Sequence, residues 1–353
     1  MRIAIVNDMK MAVEALRHTV ESFSGYEVAW VAVNGAEAVQ LCAQDVPDLI
    51  LMDIIMPEMN GVEATRQIMA KSPCAILVVT SSVTQNISLV FQAMGAGALD
   101  AVCTPTLGSD GCAKGSEDFL QKIRTIGRLI DANRYMSPVP KKKSSHAGSS
   151  EKWLIAIGAS TGGPAAIAKV ISGFPADLQA AVIVIQHVDQ SFASGLADWL
   201  AQQSPLKVRL AREGDKVEIG TILIAGTNDH LVINNNQTLG YTAEPVGAPY
   251  RPSVDVFFGS VLANWRGRTI AALLTGMGKD GAEGLLALKK DGVFTIAQNA
   301  ETCAVYGMPK AAAELGAAVK ILAVDSVAEA ILGNLAEAQS GAAQHEKQYK
   351  IKN

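Results

Sequence analysis

Aromatic residues make up only 5% of this 353-residue chain, and cysteines number five. The cysteines (Cys42, Cys74, Cys103, Cys112 and Cys303) are scattered without metal-ligand spacing. An odd, patternless set excludes a disulfide-built secreted scaffold and fits reduced thiols in a cytosol. No apolar run is long enough to span a bilayer, and Met1-Arg2-Ile3-Ala4-Ile5-Val6 enters a strand directly instead of forming a signal peptide. A cytoplasmic protein without membrane insertion is therefore expected. Basic runs are also missing: the net charge is −4, and Lys141-Lys142-Lys143 is the longest block. Those lysines read as a solvated linker, so nucleic acid is not expected as a partner. What the chain does have is apolar residues, at 49%, over a length that suits two domains.

The first half alternates strand and helix. Segments 3–6, 26–33, 48–52, 75–79 and 99–103 are strand-like, with helical patterns at 36–44, 61–70, 85–96 and 117–132. Val13, Leu16, Val20 and Phe23 form a further helical stripe. Such βα units predict an α/β, doubly wound parallel sheet at 1–130, with ligands beyond the carboxyl ends of its strands. Asn7-Asp8, Asp53 and Thr80 all fall at that edge. Two carboxylates converging there suit Mg²⁺, which keeps several waters and takes one or two carboxylates. Helix capping is the competing explanation, and it suits Asp53 poorly because Met56-Pro57 follows rather than a helix.

These residues, with the run Asp48-Leu49-Ile50-Leu51-Met52-Asp53-Ile54-Ile55-Met56-Pro57-Glu58-Met59-Asn60-Gly61 and Gly97-Ala98, resemble a response-regulator receiver domain. The resemblance implies phosphorylation of Asp53 by a histidine kinase. It also implies Mg²⁺ held by Asp8, Asp53 and the Ile55 carbonyl, and Thr80 as the switch hydroxyl. Two positions depart from the pattern. The usual acidic pair is reduced to Asn7-Asp8, and Thr104 stands before Pro105 where a lysine is expected. Phosphorylation with a modified activation step is the expectation. Residues 131–151 are rich in Ser, Pro, Lys and Gly and read as a flexible linker. About twenty such residues span roughly 25 Å, enough for the first domain to lie over the active face of the second.

The second half, 152–340, resumes the βα pattern and ends in a polar tail at 341–353. Its strand-like segments are 154–157, 181–185, 269–275, 293–297 and 319–322, and its helical segments 164–171, 192–202, 254–265, 282–289, 309–315 and 326–338. Short strands within 207–243 suggest a hairpin excursion. The organising stretch is Trp153-Leu154-Ile155-Ala156-Ile157-Gly158-Ala159-Ser160-Thr161-Gly162-Gly163-Pro164, a buried strand, a glycine turn and a helix start. Gly158-x-Ser160-x-Gly162 matches a nucleophile elbow. Ser160 occupies the second glycine position of a dinucleotide fingerprint, and no Gly-Lys-Ser/Thr is present for a phosphate loop. A plain βα turn without chemistry remains the competing reading.

A serine nucleophile needs a base, and the base needs an orienting carboxylate. Of five histidines, His18 lies in the first domain, His146 in the linker and His345 in the tail, while His230 reads as part of a turn after Asn228-Asp229. His187 follows a strand of the second sheet, as do Ser160 and Asp280. If those strands are parallel neighbours, the three side chains converge. Asp189 is too near His187 in the chain for an easy approach, and Asp255 lies inside a helix. The order Ser–His–Asp differs from that of α/β-hydrolases.

Together with Gln186-His187, Pro249-Tyr250-Arg251-Pro252-Ser253-Val254-Asp255, Leu274-Thr275-Gly276-Met277-Gly278-Lys279-Asp280-Gly281 and Tyr306-Gly307-Met308-Pro309, these motifs resemble the CheB family of protein-glutamate methylesterases. The first half also looks like the Wsp-type surface-sensing branch, in Ile5-Val6-Asn7-Asp8-Met9 and Thr104-Pro105. The resemblance implies Ser160 as nucleophile, His187 as general base, Asp280 as its orienting acid, and the Met277 N–H with Thr161 as oxyanion hole. It implies a methyl-accepting chemoreceptor as substrate, a CheA-type histidine kinase as phosphodonor, no cofactor for the esterase, and glutamine deamidation as a further activity. A phosphorylation-dependent binding module with an inactive hydrolase half is the alternative, motivated by the altered receiver site.

Overall fold

The computed structural model describes residues 1–80, 83–107, 113–114, 119–120, 122–123, 126, 152–246, 248 and 250–338. The chain divides into two compact units, Met1–Val139 and Pro140–Asn353. The expected linker at 131–151, the tail at 341–353 and most of the expected helix at 117–132 lie outside the described residues.

In the first unit, β1 (Arg2–Val6), β2 (Glu27–Ala32), β3 (Leu49–Asp53), β4 (Ala75–Thr80) and β5 (Asp100–Cys103) form a five-stranded sheet in the order β2-β1-β3-β4-β5. Every pairing is parallel. Helices α1 (Lys10–Glu21), α2 (Gly35–Gln44), α3 (Gly61–Lys71) and α4 (Val83–Gly95) connect them. Ile3, Ile5, Leu49, Leu51 and Leu77 are fully buried in one core with Leu16 and Val20 of α1, as near-continuous apolar strands covered on both faces require. Asn34 and Asn60 cap α2 and α3 by accepting from the Glu37 and Glu63 N–H groups. A short antiparallel pair, β6 (Thr106–Leu107) with β7 (Ala113–Lys114), follows β5.

The second unit is built on seven parallel strands in the order β10-β11-β9-β8-β14-β15-β16. These are β8 (Trp153–Ala159), β9 (Ala180–Gln186), β10 (Lys207–Leu210), β11 (Thr221–Ile224), β14 (Arg268–Leu273), β15 (Phe294–Gln298) and β16 (Lys320–Leu322). The helices are α5 (Gly163–Ser172), α6 (Gln190–Ala201), α7 (Val254–Asn264), α8 (Ala282–Lys290) and α9 (Met308–Glu314), with residues 327–338 also helical. All seven residues of β8 and of β9 are buried. Each buried Ile or Val there contributes about 1.5–3 kcal/mol relative to exposure, which makes the two strands a stiff base for their carboxyl ends.

The expected excursion at 207–243 is corrected in part. Only β12 (His230–Ile233) and β13 (Leu239–Thr242) form an antiparallel hairpin. β10 and β11 instead extend the main sheet, β11 pairing in parallel with β9. His230 is likewise not a turn residue; it opens β12 and is fully buried.

Candidate active site

The chain winds outward from β8 in both directions, to β9 on one side and β14 on the other. The strand order therefore reverses at β8, where open α/β sheets bind ligands. Ser160 follows β8, His187 follows β9, and Asp280 lies in the turn between β14 and α8. The condition set by the sequence, three parallel neighbours, is met.

The turn holding Ser160 is tied down by its backbone. The Ser160 N–H donates to the Thr275 carbonyl at 3.0 Å, and the Ser160 carbonyl accepts from the Gly163 N–H at 2.7 Å. Gly162 has φ +74°, a left-handed geometry that a residue with a Cβ adopts only with strain. Gly276 passes so close that an added Cβ would stand 2.7 Å from the Ser160 Cβ. The turn after β14 thus runs alongside the serine, and it carries Met277 next. Ser160 and Thr161 are both buried, and Met277 is half-buried.

His187 and Asp280 meet directly. The Nε2 of His187 lies 2.8 Å from Oδ2 of Asp280. Asp280 also accepts from the Ser253 hydroxyl at 2.7 Å, the Val254 N–H at 2.6 Å and the Asp255 N–H at 3.2 Å. Burial opposes its charge, but His187, Ser253 and Val254 outweigh that cost and hold Asp280 below the usual carboxylate range. Because this carboxylate only accepts, Nε2 carries the imidazole proton and Nδ1 keeps its lone pair. Nδ1 is buried and has no hydrogen-bond partner among the described residues. Asp255 takes the opposite course. Burial pushes it up to about 6, partly offset by the Gly284 N–H and reinforced by the charge of Asp280. Geometry separates the two carboxylates: Asp255 accepts from the Gly284 N–H at 2.7 Å, and Asp280 is the one that meets His187. Asp189 is the N-cap of α6, accepting from the Ser191 N–H.

At the first unit's carboxyl edge, the registers Val6↔Met52, Asp53↔Val79 and Thr80↔Cys103 bring together the ends of β1, β3, β4 and β5. Asp53 accepts from the Asn7 side-chain amide at 2.9 Å and from the Ile54 N–H at 2.6 Å. It is no helix cap. Burial pushes Asp53 up to about 6 against the N–H groups of Ile54 and Ile55, and the charge of Asp8 adds to the rise. Thr80 is buried, and its carbonyl accepts from the Thr104 N–H at 2.9 Å. Lys122 does not stand in for the missing lysine. Its ammonium donates to Asp100 and to the Ala101 carbonyl, at the opposite end of β5.

The sequence model of the CheB methylesterase family matches residues 155–331, and that of the response regulator receiver domain matches residues 3–114. A protein-glutamate methylesterase/protein-glutamine glutaminase of Pseudomonas fluorescens is 53% identical over 335 residues, which are 94% of this chain and 98% of its own. The chain belongs to the CheB methylesterase family. A relative of the same description from Pseudomonas aeruginosa is 53% identical over 331 residues, 93% of this chain and 98% of its own. The solved CheB methylesterase catalytic domain of Thermotoga maritima is 34% identical, with a TM-score of 0.49, and covers 52% of this chain and 99% of itself.

In this CheB-family chain four residues stand beside the site without having been assigned a role from sequence. Gln186 donates its amide to the Ser160 carbonyl at 2.8 Å and to the His187 carbonyl at 3.2 Å. Ser253 supports Asp280 and receives support in turn, its N–H donating to Nδ1 of His230 at 3.0 Å. Tyr250 stacks on His187. Gln186, Tyr250 and Ser253 lay within motifs that could be read, but nothing in a linear pattern shows which residue such a motif touches.

The raised Asp53 has a measurable consequence for the CheB receiver. Its folded value of about 6 lies above the ordinary 3.8. Its contribution to stability is complete below pH 3.8 and is lost as the pH rises through about 6. A rise of about two units corresponds to about 3 kcal/mol, and solvent screening at a half-buried group reduces this to about 1–2 kcal/mol. Asp53→Asn therefore stabilises the receiver at pH 7.5 by that amount, and the gain shrinks at pH 5. Calorimetry of both proteins at the two pH values checks this; equal differences at both would contradict it.

Proposed function

We propose that this chain is a phosphorylation-regulated protein-glutamate methylesterase of the cytoplasm. It hydrolyses γ-glutamyl methyl esters on a methyl-accepting chemoreceptor. What carries the reading is the His187–Asp280 pair, at 2.8 Å, on the sheet edge that also presents Ser160. Ser160 Oγ attacks the ester carbonyl while Nδ1 of His187 takes its proton. Asp280 holds the other imidazole nitrogen and offsets the positive charge that forms. The tetrahedral oxyanion is held by the N–H groups of Met277 and Thr161. Methanol leaves with the proton returned from Nδ1, and water then attacks the acyl-enzyme by the same route. General-base assistance supplies about 10²–10⁴-fold, and one oxyanion donor about 10²–10³-fold. With a glutamine amide in place of the ester the leaving group is ammonia, which agrees with the double name of the curated relatives.

Control enters through Asp53, the acceptor of a phosphoryl group from a CheA-type histidine kinase. Among the described residues no three His, Cys, Asp or Glu gather as a metal cluster. The donor set at Asp53 is two carboxylates, and the charge of Asp8 already strains Asp53. Such a pair fits Mg²⁺, which retains much of its water. Asp8, Asp53 and the Ile55 carbonyl are its ligands in this reading. These residues would hold the ion, which would supply charge neutralisation at the phosphoryl acceptor. Thr80, at the tip of β4, is the switch hydroxyl, and Thr104 supplies no ammonium to pair with the phosphoryl group.

Methanol release from methylated receptor membranes, with and without a small-molecule phosphodonor and Mg²⁺, tests both halves. The wild-type rate rises by about tenfold with phosphodonor, a coupling of ordinary size. Asp53→Ala keeps the basal rate and shows no rise. A flat wild-type response removes the regulation and leaves the esterase. No methanol from folded protein removes the esterase.

A further inference from the structure

We propose that Tyr250 is a positioning residue for the hydrolysis: its ring fixes the plane of the His187 imidazole and so keeps Nδ1 aimed at Ser160. The proposal rests on reading Ser160 and His187 as nucleophile and base.

The need for such a residue follows from the hydrogen bonds. Among the described residues the contact of Nε2 with Asp280 is the sole side-chain hydrogen bond of His187, and Nδ1 has no partner. A single bond to a carboxylate oxygen fixes one ring atom, not the ring plane. The imidazole could turn about it and swing Nδ1 away. A displacement of about 1 Å at a reacting group costs about 10²-fold in rate, so the plane matters as much as the contact.

Tyr250 supplies the missing constraint. Its ring lies parallel to the imidazole, with centroids 4.6 Å apart and planes 6° from coincidence. That separation is full contact for two aromatic faces. Rotation of His187 would drive the imidazole edge into the phenol face. The hydroxyl end of Tyr250 abuts the turn after β14. A Cβ on Gly278, where φ is +78°, would stand 2.3 Å from the Tyr250 hydroxyl oxygen. The phenol therefore touches the imidazole with its face and the turn at Gly278 with its hydroxyl end.

The same short segment governs the other constraint on His187. Ser253, Val254 and Asp255, just after Tyr250, donate the three further hydrogen bonds that orient Asp280. One stretch thus holds the carboxylate at the imidazole's edge and an aromatic ring on its face. When His187 takes the Ser160 proton, its charge lies over that ring face, an arrangement that favours a cation. Tyr250 is half-buried, so shortening it spares the core.

The test compares Tyr250→Phe and Tyr250→Leu in the full chain, with Ser160→Ala as control. Two quantities are read: steady-state methanol release, and the rate at which a fluorophosphonate probe labels the serine per folded molecule. Tyr250→Leu lowers kcat and the labelling rate by about 10–100-fold, with KM within about twofold. Tyr250→Phe keeps the ring and stays within about threefold of wild type in both. If Tyr250→Leu labels at the wild-type rate per folded molecule, the proposal is overturned, even if that variant melts earlier. If Tyr250→Phe falls as far as Tyr250→Leu, the hydroxyl and not the stacked ring is what matters, and the proposal is again overturned. Labelling that persists in Ser160→Ala would instead remove the nucleophile on which the proposal rests.

Discussion

Replacing Ser160 by alanine lowers ester hydrolysis by about 10⁵–10⁶-fold and leaves the melting temperature of the second domain where it was. The size follows from losing the nucleophile of a unit whose members act together. The silence in stability follows from the local bonding. Both main-chain groups of Ser160 are engaged, its N–H with Thr275 and its carbonyl with Gly163 and Gln186. Alanine keeps every one of these bonds and the same Cβ against Gly276. Methanol release and a thermal melt on one preparation decide the matter. Turnover within 100-fold of wild type in a folded Ser160→Ala protein would mean that another group attacks the ester.

Asp280→Asn loses about 10⁴-fold in kcat, as expected when an orienting carboxylate becomes an amide. Here the cause can be followed atom by atom. Oδ2 accepts from His187 and Val254, and Oδ1 from Ser253 and Asp255. An asparagine has one acceptor oxygen for these two sides. If its NH₂ faces His187, it demands the Nε2 lone pair and moves the imidazole proton to Nδ1, which then cannot act as a base. If the NH₂ faces the other way, it points at the Ser253 hydroxyl and the Asp255 N–H. Either way an amide donor meets a backbone donor, and such a mismatch costs about 1–3 kcal/mol. Asp280→Asn is therefore slow and also less stable, in contrast to Ser160→Ala. Combining the two substitutions costs scarcely more activity than Ser160→Ala alone, since the carboxylate has no nucleophile left to serve.

Both sheets and the three residues of the proposed triad were legible because parallel α/β sheets write themselves plainly. Apolar runs such as Leu154–Ile157 and Ala181–Ile185 have a single use, and whatever follows them stands at the binding edge. Ser160, His187 and Asp280 could be placed from that rule, and chain proximity was enough to set Asp189 aside. Less legible was anything decided by partners far away in sequence. Arg209, in β10, is only half-buried and forms an ion pair with Asp215, so that strand looks like the arm of a surface hairpin. Its parallel pairing with β11 appears only when the sheet is assembled. His230 follows two polar residues and resembles a turn, yet it is buried because its ring accepts from the Ser253 N–H across twenty-three positions of chain. Asp255 was set aside for its place in a helix, and that reason does not describe its surroundings. It sits beside Asp280 with its carboxylate turned to the Gly284 N–H, while Asp280 is the carboxylate that meets His187.

The Gln186 amide bears on how the enzyme fails under heat. One NH₂ group bridges the carbonyls of Ser160 and His187, and Gln186 is itself the last residue of a strand buried along its whole length. The backbones of Ser160 and His187 are therefore stitched to the same seam. Loosening of loops elsewhere leaves the spacing of these two main-chain carbonyls unaltered. On warming, the register of these two positions follows the sheet: it holds until β8 and β9 part.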